Sequence, residues 1–152
     1  MSQAEVLGPL DTAVGYALKR AATALRTAMD VALRPLDLTV SQYSCLEVLS
    51  QRPGLSNAEL ARAVFVTRQS MNLVLRGLQD RGLVTRPETA AHGRALPSEL
   101  TDAGRTQLRA ASAAVRAVEK RMLAPFSESR QNRLLQDLVA CTEAVAVAEP
   151  ES

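Results

Sequence analysis

Apolar residues recur at helical spacing along most of this chain, and prolines, glycines and capping residues cut the pattern into segments. Over residues 10–33 the stripe is Leu10, Val14, Ala17, Leu18, Ala21, Leu25, Ala28, Met29 and Leu33, with Lys19, Arg20 and Arg26 off it. This predicts a long amphipathic helix, stopped by Pro35. A second helix is predicted over residues 39–50, opened by a Thr39/Gln42 capping pair and followed by a Pro53-Gly54 turn. A long Ala-rich helix is predicted over residues 101–123. Pro125 breaks it, and Ser127 caps a last helix reaching about Val147.

The stretch between, residues 55–101, has a denser grammar. Ser56-Asn57-Ala58-Glu59 is a capping box, in which the Ser56 hydroxyl accepts from the Glu59 amide and the Glu59 carboxylate from the Ser56 amide. Leu60, Ala61, Val64 and Phe65 follow as the buried face of a short helix that ends at Val66. Thr67 caps a further helix over residues 68–80, with Met71, Val74, Leu75 and Leu78 inward and Gly82 at the left-handed terminating position. Residues 83–86 read as a strand halted by Pro87, and residues 96–100 as its return strand, ahead of a helix cap at Thr101. The expected fold is mainly α with a small β-wing: a winged helix-turn-helix flanked by N- and C-terminal dimerisation helices. The domains follow as residues 1–36 for the first dimerisation helix, 37–101 for the winged helix-turn-helix and 102–152 for the last helices.

A two-helix unit followed by a ribbon is a shape that places its second helix in the DNA major groove. The outward face of that helix carries Arg68, Gln69, Asn72 and Arg76, with Thr67 and Ser70 near its start. Arg pairs bidentately with guanine and Gln or Asn with adenine, while Ser and Thr reach phosphates or bases. Ser56 and Arg86 complete the candidate contacts on either side.

Charge changes the picture only through its placement. The net charge of +2 announces nothing, but residues 56–94 hold six arginines against Glu59, Asp80 and Glu88. Positive charge is thus gathered where phosphates would be met. The terminal helices have broad apolar faces that call for a partner, and a symmetric dimer is the commonest solution.

The sequence resembles the MarR family of bacterial transcription regulators. The resemblance rests on Leu38-Thr39 with Gln42, Leu55-Ser56-Asn57-Ala58-Glu59-Leu60-Ala61, Val66-Thr67-Arg68-Gln69-Ser70-Met71-Asn72, Gly82-Leu83-Val84, Arg94, and Leu100-Thr101-Asp102-Ala103-Gly104-Arg105. It implies a homodimer on double-stranded DNA at a pseudo-palindromic operator, acting as a repressor and released by a small aromatic or phenolic ligand. It also implies that Arg94 enters the minor groove. His92 stands where the family usually carries an Asp, so the carboxylate that steadies the wing Arg is missing. Pro97 is unusual too, since a strand proline fits an edge or a bulge. The family's ligand pocket lies between the dimerisation helices and the winged module, which makes Tyr16, Arg20, Met29 and Tyr43 candidates here. A tyrosine could stack on an aromatic ring, and Arg20 could hold a carboxylate.

Other classes are weaker. The single histidine, His92, cannot build a His-rich catalytic metal site. No Gly-rich phosphate loop, GxSxG elbow or CxxC pair is present. No enzyme, cofactor or metal is therefore expected. Cys45 and Cys141 fall on apolar helix faces and read as buried structural thiols, with a redox-sensing regulator of the same fold as the alternative. A winged-helix protein-interaction module without DNA binding is the other alternative. No apolar run approaches the roughly 20 residues that span a bilayer, and no secretory leader pattern opens the chain. The expected location is the cytoplasm.

Overall fold

The computed structural model describes residues 9–86 and 97–147, and the chain packs as two units, Met1–Val118 and Glu119–Ser152. In the first unit a 3₁₀ turn at Leu10–Thr12 precedes α1, Val14–Leu33. The two are separate because Ala13 is extended, so α1 starts later than the apolar stripe suggests. A 3₁₀ turn over Arg34–Leu36, containing Pro35, leads to α2, Val40–Gln51. There Thr39 and Gln42 close the predicted capping box, with Gln42 N donating to Thr39 Oγ1 at 3.1 Å and Thr39 N to Gln42 Oε1 at 3.0 Å. Next come α3, Asn57–Val64, and α4, Arg68–Asp80.

The end of α4 shows how sequence sets local structure. Gly82 takes φ +71°. Its amide donates to Gln79 O at 2.9 Å, and the Leu83 amide to Leu78 O at 2.9 Å. This paired closure satisfies carbonyls that a helix end would otherwise orphan. The chain then enters β1, Val84–Thr85, which pairs antiparallel with β2, Glu99–Leu100, matching Val84 to Leu100 and Thr85 to Glu99. Both strands are shorter than the sequence suggests, and Pro97 lies ahead of β2 rather than in it. Thr101 caps α5, Asp102–Leu123, by accepting from Gly104 N at 3.0 Å while donating to Gly82 O at 2.6 Å.

The core joins α2, α3, α4 and the sheet. Leu33, Cys45, Leu46, Met71, Leu75 and Leu78 are fully buried, with Leu60 and Val84 nearly so. By contrast, Leu33 is the only buried residue of α1, and Leu10, Val14 and Leu18 on its stripe are exposed.

The second unit contains the end of α5 and α6, Glu128–Val145. Ser127 caps α6 by accepting from Arg130 N at 3.3 Å, and Gln131 Nε2 donates to the carbonyls of Leu123 and Phe126. The Arg130 guanidinium lies 4.6 Å from the centre of the Phe126 ring. No residue of α6 is buried, and Leu135, Leu138, Val139 and Val145 are exposed. Cys141, expected in a core, is exposed as well.

Candidate nucleic-acid interface

The candidate interface is built on α3, the turn after it, and the start of α4. The Ser56/Glu59 capping box forms as the spacing requires, with Glu59 N donating to Ser56 Oγ at 3.2 Å and Ser56 N to Glu59 Oε1 at 3.3 Å. Hydrogen bonds from the Ser56 side chain and backbone hold the Glu59 carboxyl below its ordinary range. Cap and acidic residue together complement the positive end of α3.

At the other end of α3 the structure corrects the sequence reading. Phe65 is not on the buried face but 94% exposed, at φ +64°. Its amide donates to Arg62 O at 3.3 Å, and the Val66 amide to Ala61 O at 3.0 Å. These are the same two bonds that Gly82 and Leu83 make after α4. Phe65 thus fills a left-handed capping position normally given to glycine, and its side chain turns to solvent because the backbone reverses there.

Two residues later Thr67 opens α4. Its Oγ1 accepts from Ser70 N at 3.0 Å and its hydroxyl donates to Ser70 Oγ at 3.0 Å. Both bonding roles of Thr67 are therefore spent on the helix start. Arg68, Gln69, Ser70, Asn72 and Arg76 are exposed along α4, opposite Met71, Leu75 and Leu78. Ser56, Thr67 and Arg86 are exposed too. Arg94 and His92 lie outside the described residues.

Three residues of this region have roles that the sequence pattern does not assign to them. Asn57 Nδ2 donates to Asn72 Oδ1 at 3.1 Å, tying the start of α3 to the outer face of α4. Leu73 is 64% exposed on the same face. Phe65 is the third. Leu73 was legible, since it stands four residues after Gln69 and three before Arg76. The Asn57–Asn72 bond spans fifteen residues and leaves no periodic signal.

The ligand-site candidates separate into two places. Arg20 lies 6.0 Å over the Tyr16 ring, on an exposed part of α1. Tyr43 is buried, and Met29 packs against the core that contains it. The Tyr43 hydroxyl lies 3.5 Å from Glu47 Oε2, which also accepts from Ser112 Oγ at 3.3 Å. Burial, ahead of the neighbouring Glu47 charge, raises the Tyr43 phenol above its ordinary range. Cys45 is buried beside these groups in sequence, and burial pushes its thiol up to about 12. That is the reverse of the thiolate-stabilising setting a redox sensor needs. No described helix is long and apolar enough to cross a membrane.

Comparison with known proteins agrees with this architecture. A sequence profile described as the MarR family matches residues 36–95. The HTH-type transcriptional repressor Rv2887 of Mycobacterium tuberculosis is 47% identical over 131 residues, covering 84% of this chain and 94% of Rv2887. The crystal structure of Mycobacterium tuberculosis Rv2887 in complex with salicylic acid gives a TM-score of 0.71 at 45% identity, covering 84% of this chain and 95% of that one. The structure of Rv2887 in complex with DNA gives a TM-score of 0.71 at 44% identity, covering 84% and 96%. The chain belongs to the MarR family of winged helix-turn-helix transcription regulators.

Proposed function

We propose that this protein is a homodimeric transcriptional repressor that binds a pseudo-palindromic operator in double-stranded DNA and is released by a small aromatic ligand such as salicylate. The observation that carries the reading is the outer face of α4, where Arg68, Gln69, Asn72 and Arg76 stand exposed at the start of a capped helix. Rv2887, at 47% identity, is named a repressor and has been crystallised with DNA and with salicylic acid.

In this reading α4 enters the major groove, with Gln69 and Asn72 on base edges and Arg68 and Arg76 on guanines or phosphates. Ser56, Ser70 and Arg86 serve the backbone, Thr67 acts by fixing the start of α4 that presents them, and Arg94 reaches the minor groove. Residues 1–36 and 102–152 supply the dimer contacts, using the exposed apolar faces of α1 and α6. Two copies of α4 set about 34 Å apart meet successive major grooves on one DNA face. The effector prefers a dimer with a different spacing, which is how binding lowers operator affinity. Tyr16, Arg20, Met29 and Tyr43 are the candidate effector contacts, acting in the cytoplasm with no catalytic step and no membrane contact.

The test is a gel-shift on the DNA upstream of the gene, with and without salicylate. The expected result is a specific shift that weakens steeply with salt and is released by salicylate. Binding that does not discriminate upstream DNA from a mixed competitor overturns the operator assignment. A specific shift indifferent to salicylate overturns the effector assignment alone.

A further inference from the structure

The outer face of α4 is not wholly polar. Gln69, Asn72, Leu73 and Arg76 share that face by their three- and four-residue spacing. Leu73 stands among them with 64% of its surface exposed, while Met71, Leu75 and Leu78 on the other side are fully buried. Leu73 therefore contributes nothing to the core that a polar residue would disturb. At the leading end of the same helix, Phe65 is 94% exposed and held at φ +64°. Glycine would make the same two capping bonds without the steric penalty of a side chain in the left-handed region. A strained backbone carrying a bare aromatic ring is a pattern that goes with function. Leu73 stands among the polar readers, and Phe65 precedes them in the chain by three residues or more.

We propose that Leu73 and Phe65 give this interface an apolar component that recognises the C5-methyl groups of thymines in the operator's major groove. The inference rests on the DNA-binding reading above. Its occupant follows from chemistry: the thymine methyl is the one apolar group that base pairs display in the major groove, and it is met by apolar side chains. The neighbours agree with that occupant. Gln69 and Asn72 suit adenine, and Arg76 suits guanine or phosphate, so the leucine sits inside a base-reading set rather than in an apolar patch fit for a protein partner. Methyl contact adds what the polar groups lack, a penalty for cytosine where thymine belongs.

Uracil scanning tests this directly, since replacing thymine by uracil removes the methyl and leaves every hydrogen-bonding group of the pair in place. The probe is a duplex selected by the protein from a random pool, with each thymine replaced in turn. The wild-type protein should lose about fourfold in affinity for each methyl that is buried in contact. Leu73→Ala or Phe65→Gly should bind the thymine and uracil forms equally at the position it reads. Neither change touches the core, and a thermal melt of each variant verifies the fold. Specific binding by the wild type that is indifferent to uracil at every position overturns the inference and leaves the DNA-binding reading intact. So does full retention of uracil sensitivity in both variants. Absence of any selected duplex overturns both.

Discussion

Gly104 lies so close to the carbonyl group of Leu83 that a Cβ on it would overlap the Leu83 oxygen and sit 3.0 Å from the carbonyl carbon. The same carbonyl oxygen accepts from Thr101 N at 3.1 Å. The first turn of α5 is thus laid directly on the strand that follows α4. No side chain fits between, and the group that a methyl would meet is backbone, which cannot rotate away. Gly104→Ala should therefore destabilise the fold by about 1–3 kcal/mol, the usual cost of forcing a methyl into a filled site. Denaturant unfolding measures it. An unchanged midpoint would mean that α5 shifts freely against β1.

Phe65 gives the opposite sign. A bulky residue in the left-handed region costs about 1–2 kcal/mol relative to a permitted conformation, and glycine avoids most of that. Its ring is 94% exposed, so removing it sacrifices almost no burial. Phe65→Gly should raise the melting temperature. A lower melting temperature would show that the ring is packed in solution.

Much of the fold was legible because its signals are local. The Thr39, Ser56, Thr67 and Ser127 caps, and Gly82, each act within a few residues. The errors share one cause. Apolar character alone does not mean burial: Phe65 follows a backbone reversal, and Cys141 belongs to a helix that has no buried residue. On the candidate interface, the polar face of α4 followed from periodicity. Leu73 shares that periodicity, but its side chain has no donor or acceptor to mark it as a base reader. The Asn57–Asn72 bond depends on how two helices cross, which no local pattern encodes.

That bond carries its own expectation. Asn57 fixes the amide of Asn72 from the side, leaving the Asn72 amide nitrogen as the free end. Asn57→Ala should weaken operator discrimination without weakening binding to mixed DNA. In a double-mutant cycle with Asn72→Ala, the coupling should be about 0.5–1.5 kcal/mol, the net value of one hydrogen bond. Additive effects would show that the two residues act separately on DNA.

The two thiols should behave differently. Cys141 is exposed within its own chain and Cys45 is buried, so a thiol reagent should modify one cysteine in the folded monomer and two in denaturant. Burial raises the Cys45 thiol from 9.0 to about 12. The folded state therefore holds this proton longer than the unfolded state does. The stability that goes with it is complete below pH 9 and is lost as pH climbs toward about 12. The slope approaches about 1.4 kcal/mol per pH unit within that window. Tyr43, also raised, adds a loss of the same sign at higher pH. Cys45→Ala should flatten the slope between pH 9 and 10, whatever its effect at neutral pH. Equal alkaline slopes in the two proteins would place the titration elsewhere.

The proposed dimer can be separated from the fold by choosing a residue that serves only one of them. Leu25 is partly covered within its own chain, but Leu18 is 46% exposed on α1 and outside the core. A glutamate at such a position stays solvated in a monomer, whereas in a dimer it would be buried without a partner, at a cost of several kcal/mol. Leu18→Glu should therefore keep the helical signal and the melting behaviour of the α2–α4 core while sedimenting as a monomer. Operator affinity should fall with it, because a single α4 loses the second half-site. A Leu18→Glu protein that still sediments as a dimer with full operator affinity would move the interface away from this stretch of α1.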